Sequence, residues 1–476
     1  MLYEYCIIHL LLILINNRNL FIFIKYNSTT IDNIGDLMYK KLIHGVNTLV
    51  PLISGNKVPY INFDNAATTP PFSSVIWGVN NFSPYYSSVH RGTGYKSIIS
   101  SNFYDEARNI VLDFIGAELN YHTAIFVKNT TEAINKLSYR LKDEIKDGIV
   151  LSTYMEHHSN DLPWRYRYNV DYVEVDTKGR LSLNHLEHLL KKYQGKVKLL
   201  TVTGASNVTG YINPIHKIAR LAHKYGSKIL VDGAQLVPHH PVNIKSVGDP
   251  AHIDYIAFSA HKMYAPFGIG VLVAPKDTFK SGISDHIGGG TVDLVTLKEV
   301  IWAFPPEKEE AGTPNLFGVV ALIESIKMLK KLNMKKISEY ERKLTRYTLE
   351  NLKTVPNITI YDDEDVENKV SIISFNIDGL YHGTVATALS LEGGIGVRNG
   401  CFCAQPYIQK LLHISEEDIN KYKNNRNMLR PGTVRISYGL YNDFEEINIM
   451  IELLKHIGNN IEYYDSKYRN PSFYSK

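Results

Sequence analysis

YIAFSAHK, the stretch from Tyr255 to Lys262, joins a short apolar run to a lysine that follows directly after it. A short apolar run with polar residues after it is typical of a buried strand. A lysine that loses water at a strand end has a lowered pKa, and its amine then becomes a nucleophile able to form a Schiff base. A lone lysine is usually an exposed surface residue, so the residues around Lys262 have to distinguish a reactive lysine from a surface one.

Apolar runs alternate with amphipathic helical patterns on both sides of this stretch. From Ile61 onward the alternation predicts an α/β fold with a mostly parallel sheet covered on both faces. After about Pro314 a long helix, Leu316–Leu332, leads into mixed strands and helices, which indicates a smaller α+β domain. We therefore predict a large domain of residues 38–313, including an N-terminal arm, and a small C-terminal domain of residues 314–476. The predicted strands of the large sheet are Ala124–Val127, Gly148–Ser152, Lys198–Thr203, Lys228–Val231, Tyr255–Phe258 and Gly270–Val273.

A second strand of this sheet ends in polar residues that suit a cofactor. It reads KILVDGAQ, with Asp232 at its end and Gln235 on the following turn. In such sheets ligands bind at the carboxyl ends of the strands. A carboxylate there can pair with a protonated pyridine nitrogen, and an amide can donate to a ring phenolate. Alternatively, Asp232 caps a helix and Gln235 is a solvated loop amide.

Two further strand ends carry candidate ligands. KNTTEAIN, from Lys128 to Asn135, starts a helix with Thr130 and Thr131, and hydroxyls with free amides at a helix start bind phosphate. A plain helix cap is the alternative for this motif. His157 in MEHHSND follows the strand GIVLS, where it can stack on a cofactor ring or be held by local hydrogen bonds.

The composition is that of an ordinary globular protein. The chain has 476 residues, 44% of them hydrophobic, and a formal net charge of +4 from 52 basic and 48 acidic residues. This balance favours no nucleic-acid partner, and no basic block is present. The three cysteines, Cys6, Cys401 and Cys403, do not indicate a disulfide framework. No metal site is predicted, because the two neighbouring thiols have no second cysteine or histidine pair at ligand spacing.

Residues 1–37 carry no motif, and we interpret them as an N-terminal extension that is not native. The apolar run Cys6–Ile15 is shorter than the 20 or so residues of a membrane span, so no span is predicted. No basic start and no small-residue cleavage site indicate a signal peptide. A weak membrane-associating tail and a helix added to the core are the other interpretations. Met38 opens a sequence typical of a cytoplasmic protein, and we expect a cytoplasmic location.

Eight motifs in a fixed order resemble those of the class V aminotransferases and, among them, the cysteine desulfurases. The resemblance runs from INFDNAATTPP at Ile61 to VRISYGLYN ending at Asn442, which is most of the chain. One motif alone is weak, and the number, order and spacing of the eight make the resemblance specific. The motifs are NTTEAIN, MEHHSN, SNVTGYINPI, VDGAQ, FSAHKMYAPFGIG, GGGTV, EAGTPN and VRNGCFCAQP.

The resemblance implies a homodimer of fold type I that uses pyridoxal 5'-phosphate (PLP), and it implies a role for each candidate residue. Lys262 would form the internal aldimine, Asp232 would pair with the pyridine nitrogen, and Gln235 with the phenolate oxygen. His157 would stack on the ring, and Thr131, Ser259 and His261 would bind the phosphate, with Thr130 lining the same helix start. Asn207 would position cofactor or substrate, Thr291 would reach the phosphate of the partner subunit, and Arg435 with Arg398 would bind the substrate carboxylate.

The loop RNGCFCAQP, from Arg398 to Pro406, decides the expected reaction. It resembles the group II desulfurase pattern, whose catalytic cysteine falls at Cys403, although Cys401 and Phe402 replace two usual histidines and Asn399 a usual threonine. The implied reaction converts L-cysteine to L-alanine, with a persulfide on Cys403 and sulfur passed to an acceptor protein.

Several other functions remain open at this level. Within the same family they are a selenocysteine lyase, a C–S lyase, an epimerase, or an enzyme like the molybdenum-cofactor sulfurases, which also carry a CFC triplet. From a different class, the chain can be a binding scaffold without PLP, against which the intact Lys262 and Asp232 argue. If the loop is extended, Cys401 and Cys403 share a face, so Cys401 remains an alternative or auxiliary thiol.

Overall fold

A seven-stranded sheet forms the centre of the fold. The computed structural model describes residues 37–361, 365–425 and 428–469. Six strands run in one direction and only Gly270–Pro275 is antiparallel to its two neighbours. The predicted mostly parallel α/β fold is therefore confirmed. In spatial order the strands are His122–Val127, Gly270–Pro275, Tyr255–Ser259, Lys228–Asp232, Val197–Thr203, Ile149–Thr153 and Asn169–Val173.

Two strands extend further than their apolar runs predict. Asp232 pairs with both Thr203 and Ala257, and Ser259 pairs with Gly270, so both polar residues belong to their strands. Ladder hydrogen bonds use backbone groups, and the pairing therefore does not stop where the side chains become polar. As a result, these two side chains are held rigidly at the carboxyl edge of the sheet.

Helices cover both faces of the large sheet, as a sheet buried on both faces requires. Their apolar side chains pack with the strands into two clusters, one on each side. The long helix Leu316–Leu332 has the bounds that its sequence predicts and belongs to the larger cluster. The helices of this part are Ser73–Phe82, Tyr95–Phe114, Thr130–Arg140, Lys142–Ile145, Leu162–Arg165, Leu183–Tyr193, Ile215–Lys224, Leu236–His239 and Leu316–Leu332.

A second, antiparallel sheet lies in the C-terminal part of the chain. Its strands, in spatial order, are Ile358–Ile360, Ile372–Ile377, Thr433–Ser437 and Arg398–Gly400. A separate apolar cluster joins it to its helices, as expected for a smaller α+β unit. The domain boundaries themselves stay a prediction. The helices are Met334–Leu352, His382–Gly393, Gln405–Leu411, Glu416–Asn424, Phe444–Asn459 and Ile461–Tyr468.

The N-terminal arm contributes short strands to other parts of the fold. Ile61–Asn62 pairs in parallel with Ile395–Gly396, and Leu49–Pro51 pairs with Lys57–Pro59. An exposed hairpin, Val292–Val295 with Val300–Trp302, follows the large sheet. The first described helix is Leu37–Lys40, so the interpretation of the preceding residues as an extension lies outside the described residues. Within the described ranges, no helix is both long enough and apolar enough to cross a membrane.

Candidate active site

One cavity opens at the carboxyl edge of the large sheet. Four parallel strands each send a predicted residue into it: His157, Asn207, Asp232 and Lys262 all end or follow such a strand. Except for Thr291 and the auxiliary thiol Cys401, every candidate residue from the sequence lines this cavity. The lining comprises Ala66, Ala67, Asn129, Thr130, Thr131, His157, Ser159, Thr203, Asn207, Asp232, Ala234, Gln235, Ser259, His261, Lys262, Arg398, Phe402, Cys403 and Arg435.

One corner of the cavity is the start of the helix Thr130–Arg140. Ser259 Oγ accepts a hydrogen bond from the Thr130 amide at 2.8 Å and lies 2.6 Å from the Thr130 hydroxyl. Thr131 Oγ1 lies 2.7 Å from Ser159 Oγ. Hydroxyls gathered at the positive end of a helix suit a phosphate. Ser159 was not predicted from the sequence, because nothing in MEHHSND distinguishes it from a loop serine.

A glycine on the neighbouring strand allows this corner to form. A Cβ atom on Gly270 would lie 2.6 Å from the Asn129 backbone, closer than any side chain permits. Asn129 caps the helix by accepting from the Glu132 amide at 3.0 Å. The strand Gly270–Pro275, which comes after Lys262 in the chain, therefore packs directly against the start of the helix Thr130–Arg140.

Lys262 and Asp232 form the floor of the cavity. Burial lowers the pKa of Lys262 to about 8, against an opposing effect of Asp232 and a further lowering by Arg435. None of the hydrogen bonds among the described residues involves the Lys262 amine. Burial raises the pKa of Asp232, while the Ala234 amide at 3.0 Å and Lys262 lower it. The floor thus offers a partly neutral amine beside a buried carboxyl group.

The imidazole of His157 is neutral. Burial lowers its pKa to about 3, with Lys262, His158 and Arg435 acting in the same direction. Its Nδ1 accepts from the Ser159 amide at 3.1 Å, which places the proton on Nε2. A neutral ring can stack on an aromatic cofactor without the cost of burying a charge. Burial also lowers the pKa of His261, to about 4.

Gln235 has an unused acceptor in this cavity. Its Nε2 donates to the Ala66 carbonyl at 2.7 Å, and its buried Oε1 has no hydrogen-bond partner within the described part of the chain. The amide nitrogen has a second hydrogen for a further acceptor. Buried polar atoms are normally paired, so the arrangement indicates a polar ligand here. Ala66 comes from the N-terminal arm, and local sequence patterns do not place it beside Gln235.

Two arginines lie on the opposite side of the cavity. Arg435 donates to the Asn207 carbonyl at 2.9 Å and to Asp64 at 3.0 Å, and its buried Nε has no partner among the described residues. Arg398 is exposed, with its Nη1 3.7 Å from Asp64. Arg435 also lies 4.7 Å above the Phe402 ring. Asp64, which was not predicted from the sequence, holds both guanidinium groups near the cavity.

Cys403 lies on a tightly turned loop. Both Phe402 and Cys403 have positive φ angles, 52° and 54°, which are unusual for residues other than glycine. The neighbours hold this conformation: the His158 amide donates to the Cys403 carbonyl at 2.6 Å, and Asn207 donates to the Phe402 carbonyl at 2.7 Å. Strain held by the surroundings is common at functional sites. The Cys403 thiol is exposed and lines the cavity with Lys262.

Cys401 does not share this position. The two thiols would share a face only if the loop were extended, and it is not, because the left-handed turn at Phe402 and Cys403 breaks the alternation of side chains. Cys401 lines a different cavity, together with Gln405, Tyr422 and Arg430. Its thiol is 3.8 Å from the Pro431 carbonyl, and burial raises its pKa.

Thr291, like Cys401, is a candidate residue that does not line the cavity. It is fully buried, and its hydroxyl donates to the Gly288 carbonyl at 2.7 Å. It precedes the exposed hairpin Val292–Val295 with Val300–Trp302. Its predicted contact with a partner subunit therefore stays a prediction.

A buried glutamate supports the site from below. Glu156 accepts from the Thr153 hydroxyl at 2.7 Å, the Thr203 amide at 2.9 Å and Asn160 Nδ2 at 2.6 Å. Asn160 cannot reverse its amide, because its Oδ1 already accepts from Trp164 and Thr201. Burial raises the pKa of Glu156 to about 8. The sequence analysis did not single out this residue.

Replacing Glu156 with glutamine is expected to destabilise the protein by about 1–3 kcal/mol, although the two side chains have the same size. Either orientation of the amide puts its NH2 group against a donor, from Thr203 or from Asn160. Denaturant unfolding at pH 9, above the Glu156 pKa of about 8 so that the wild-type group is a carboxylate, measures the change, with the exposed Glu106→Gln as the matched control. Equal stability of the two variants would contradict the hydrogen-bond assignment.

The sheet, the strand-end lysine and its aspartate together define an α/β enzyme of the PLP class. The sequence model of the family "Aminotransferase class-V" matches residues 61–450. The chain belongs to the class-V aminotransferase family. This membership confirms the predicted fold class and PLP as the cofactor.

The chain is similar to proteins named as cysteine desulfurases. A probable cysteine desulfurase of Pyrococcus abyssi is 35% identical over 83% of this chain and 94% of its own. A cysteine desulfurase of Escherichia coli is 32% identical over 84% of this chain and 94% of its own. An apo cysteine desulfurase structure from Thermococcus onnurineus NA1 is 32% identical, with a TM-score of 0.74 over 84% of this chain and 95% of the other. The predicted resemblance is confirmed.

Some relatives are considerably longer than the matched region. The match covers 56% of a probable cysteine desulfurase from Mycolicibacterium paratuberculosis and 62% of one from Mycobacterium leprae. The chain thus spans less than two thirds of these two proteins.

The residues present fit PLP. The unpaired amine of Lys262, the second amide hydrogen of Gln235 and the hydroxyls at the helix start all belong to residues that line one cavity. They suit, in turn, the aldehyde, the ring oxygen and the phosphate of that cofactor.

Proposed function

We propose that this chain is a PLP-dependent cysteine desulfurase, which converts L-cysteine to L-alanine and retains the sulfur as a persulfide on Cys403. The observation that carries the proposal is one cavity lined by Lys262, Asp232, Arg435 and Cys403. A strand-end lysine with its aspartate serves many reactions of amino acids. An exposed thiol facing that lysine narrows the reaction to one at the substrate sulfur.

The cofactor would be held by the residues of the floor and the helix start. When bound, PLP supplies an electron sink that makes the Cα proton of an amino acid acidic. Asp232 would pair with its ring nitrogen, Gln235 with its ring oxygen, and His157 would cover its face. Thr131, Ser259 and His261 would bind its phosphate, with Thr130 lining the same helix start.

The substrate carboxylate would bind to the arginine side of the cavity. Arg435 has a free buried Nε, and a carboxylate there would receive a charge-assisted hydrogen bond. Arg398 is close to the same Asp64 and would add a second positive charge at the mouth. Asn207 links this side to the cysteine loop through the Phe402 carbonyl. Asn207 therefore links the substrate-binding Arg435 to the loop that carries the Cys403 thiol.

Lys262 and Cys403 would carry out the chemistry. The Lys262 amine would take the Cα proton of the bound substrate, a role that its lowered pKa favours. The Cys403 thiolate would then attack the substrate sulfur, forming an S–S bond while the substrate C–S bond breaks. The electron pair of the broken bond stays with Cβ, which takes up a proton to complete alanine. The sulfur remains on Cys403 as a persulfide.

Incubation of the protein with L-cysteine tests this proposal by scoring alanine, free sulfide and protein-bound sulfane sulfur together. Alanine with an equal amount of bound sulfur in the first turnover supports a desulfurase. Pyruvate or sulfide without bound sulfur would indicate a C–S lyase, and D-cysteine without alanine an epimerase. Selenocysteine as the only productive substrate would indicate a selenocysteine lyase.

The rate at which the apoprotein attaches PLP covalently is expected to rise with pH, with a midpoint near the Lys262 pKa of about 8. Only the neutral amine is nucleophilic, and its fraction increases as the pH rises through that pKa. Stopped-flow absorbance over a pH series measures the rate. Asp232→Asn is expected to shift the midpoint downward, because the carboxylate raises the pKa of Lys262. A midpoint at the ordinary lysine value would contradict the assignment.

The proposed function includes a homodimer and a sulfur-acceptor protein in the cytoplasm. Support for the dimer comes from the hairpin after Thr291, where Leu294, Val295 and Leu297 are at least half exposed. Apolar side chains concentrated on a protruding hairpin are typical of a protein interface. Thr291 at its base would then face the phosphate of the partner. The exposed Cys403 leaves its persulfide open to an acceptor.

Leu294→Asp combined with Leu297→Asp is expected to convert the dimer to a monomer and to lower desulfurase activity. The two carboxylates would have to be buried without partners in the proposed interface. Sedimentation velocity measures the assembly state, with Ile449→Asp on the exposed face of the helix Phe444–Asn459 as control. A wild-type protein that is monomeric and fully active would contradict the proposal.

A further inference from the structure

A cluster of two histidines and one aspartate lies at the edge of the large sheet opposite the PLP cavity. His223 is in the last turn of the helix Ile215–Lys224. His252 and Asp254 immediately precede the strand Tyr255–Ser259, whose far end carries Lys262 toward the cavity. The cluster therefore takes no part in the proposed reaction.

The three side chains direct their ligand atoms at each other. His223 Nε2 lies 2.8 Å from Asp254 Oδ2, and His252 Nε2 lies 3.3 Å from Asp254 Oδ1. All three ligand atoms are within 4.8 Å of one another. The side chains are 18%, 17% and 10% exposed, so the cluster is largely buried and still reachable from solvent.

The remaining nitrogens fix the protonation of the rings. His223 Nδ1 lies 2.8 Å from the Pro250 carbonyl, and His252 Nδ1 lies 2.7 Å from the Asp249 carbonyl. A carbonyl oxygen only accepts, so each Nδ1 carries a hydrogen. In a neutral ring Nε2 then presents a lone pair, and in both rings it faces the Asp254 carboxylate. That carboxylate already accepts from the Ile229 amide at 2.9 Å.

Two nitrogen lone pairs that face a carboxylate repel it unless a positive charge lies between them. Protonation of one ring would leave the lone pair of the other ring facing the carboxylate, and protonation of both would place two imidazolium cations 4.2 Å apart in a nearly parallel stack with one carboxylate to compensate them. One divalent cation would instead satisfy both nitrogens and the carboxylate at once. Histidine ligands of metals typically donate their other ring hydrogen to a carbonyl or carboxylate, as both histidines do here.

We propose that His223, His252 and Asp254 bind one divalent transition-metal cation of the zinc type. Zn²⁺ takes histidine nitrogen and carboxylate oxygen at about 2.0–2.2 Å in tetrahedral geometry, so its ligand atoms are about 3.4 Å apart. The observed nitrogen–oxygen separations of 2.8 and 3.3 Å involve the two different oxygens of Asp254, and the three ligand atoms lie within 4.8 Å of one another, so binding requires the rings and the carboxylate to adjust around the ion. Water would occupy the fourth position, because the site is open to solvent. The site joins a helix end to a strand start, so metal binding also stabilises the fold.

Zinc titration of the chelator-treated holoenzyme tests this proposal, using a chromophoric chelator as competitor. The variants His223→Gln and Asp254→Asn remove one ligand each, and Asp254→Asn retains an acceptor for the Ile229 amide. His216→Gln is the matched control, because His216 is on the same helix and bonds the neighbouring Ala251 carbonyl without joining the cluster. Thiols that also bind zinc are present in all four proteins and cancel in the comparison.

Wild type and the His216 variant are expected to bind one more Zn²⁺ per chain than the two ligand variants, or to bind it at least about tenfold more tightly. Zinc should also raise the melting temperature of wild type and of the His216 variant more than that of the two ligand variants. Circular dichroism confirms that each variant is folded, and His252→Gln replaces any that is not. Equal zinc binding by all proteins, or none by wild type, would overturn the proposal. Alanine formation from L-cysteine is a separate readout, so failure of the metal site leaves the proposed function untouched.

Discussion

Replacing Lys262 with alanine is expected to lower alanine formation from L-cysteine by a factor on the order of 10³ or more, since the amine both attaches the cofactor and moves the Cα proton. The variant should still bind PLP non-covalently, because Asp232, Gln235 and the helix start are unchanged. Borohydride reduction of wild type followed by peptide mapping should place the pyridoxyl label on Lys262.

The exposed Lys128 provides the control for this experiment, because it lies beside the same helix start. Lys128→Ala should retain both the label and the activity. A label on Lys128, or an unlabelled Lys262 peptide from active enzyme, would remove the basis of the proposed site.

Replacing Cys403 with serine is expected to abolish persulfide formation and to reduce alanine release by about two orders of magnitude, or about 2.7 kcal/mol of transition-state stabilisation. Oxygen in place of sulfur cannot form the sulfur–sulfur bond that holds the product. The absorption spectrum of the cofactor and its response to L-cysteine should persist, because Lys262, Asp232 and Arg435 are unchanged. The effect is measured as the alanine released from L-cysteine by the variant, compared with wild type at the same enzyme concentration.

Cys401→Ser separates the roles of the two thiols. Cys401 lies in a different cavity, and burial raises the pKa of its thiol, so it is a poorer nucleophile. This variant should keep most of the first sulfur abstraction, while a slower later transfer would indicate an auxiliary role. Full loss of activity in Cys401→Ser with an active Cys403→Ser would reverse the assignment.

The strand-end residues of the cavity could be predicted from the sequence because they depend on local patterns. A short apolar run predicts a buried strand, and parallel strands bring their carboxyl ends to one edge. That rule singles out Asp232 and Lys262 as candidates, and the family resemblance implies their roles. The resemblance to a family added Asn207, Arg398 and Arg435, which belong to separate parts of the chain and meet only in the folded protein.

The features missed by the sequence analysis depend on tertiary contacts. Asp64 and Ala66 come from the N-terminal arm and meet residues from the opposite end or the middle of the chain. Glu156 accepts hydrogen bonds from donors up to 47 positions away in the chain. The turn at Phe402 and Cys403 follows from hydrogen bonds to His158 and Asn207, and no local pattern predicts positive φ there.

The histidine–aspartate cluster was missed for a related reason. His223 is separated by about thirty positions from His252 and Asp254, which is not a metal-ligand spacing that a sequence motif reveals. Helix and strand packing at the amino edge of the sheet brings them together. No metal site was predicted from the sequence, because the two neighbouring cysteines have no second ligand pair at metal spacing.

The central claim, that Cys403 receives the substrate sulfur, is tested most directly by mass spectrometry after a single turnover. Wild-type holoenzyme would be mixed with one equivalent of L-cysteine, alkylated, digested and mapped across the peptide that contains Cys401 and Cys403. We predict one added sulfur atom on Cys403 for each alanine formed. An added sulfur on Cys401 alone, or alanine formed with no sulfur on either thiol, would contradict the account.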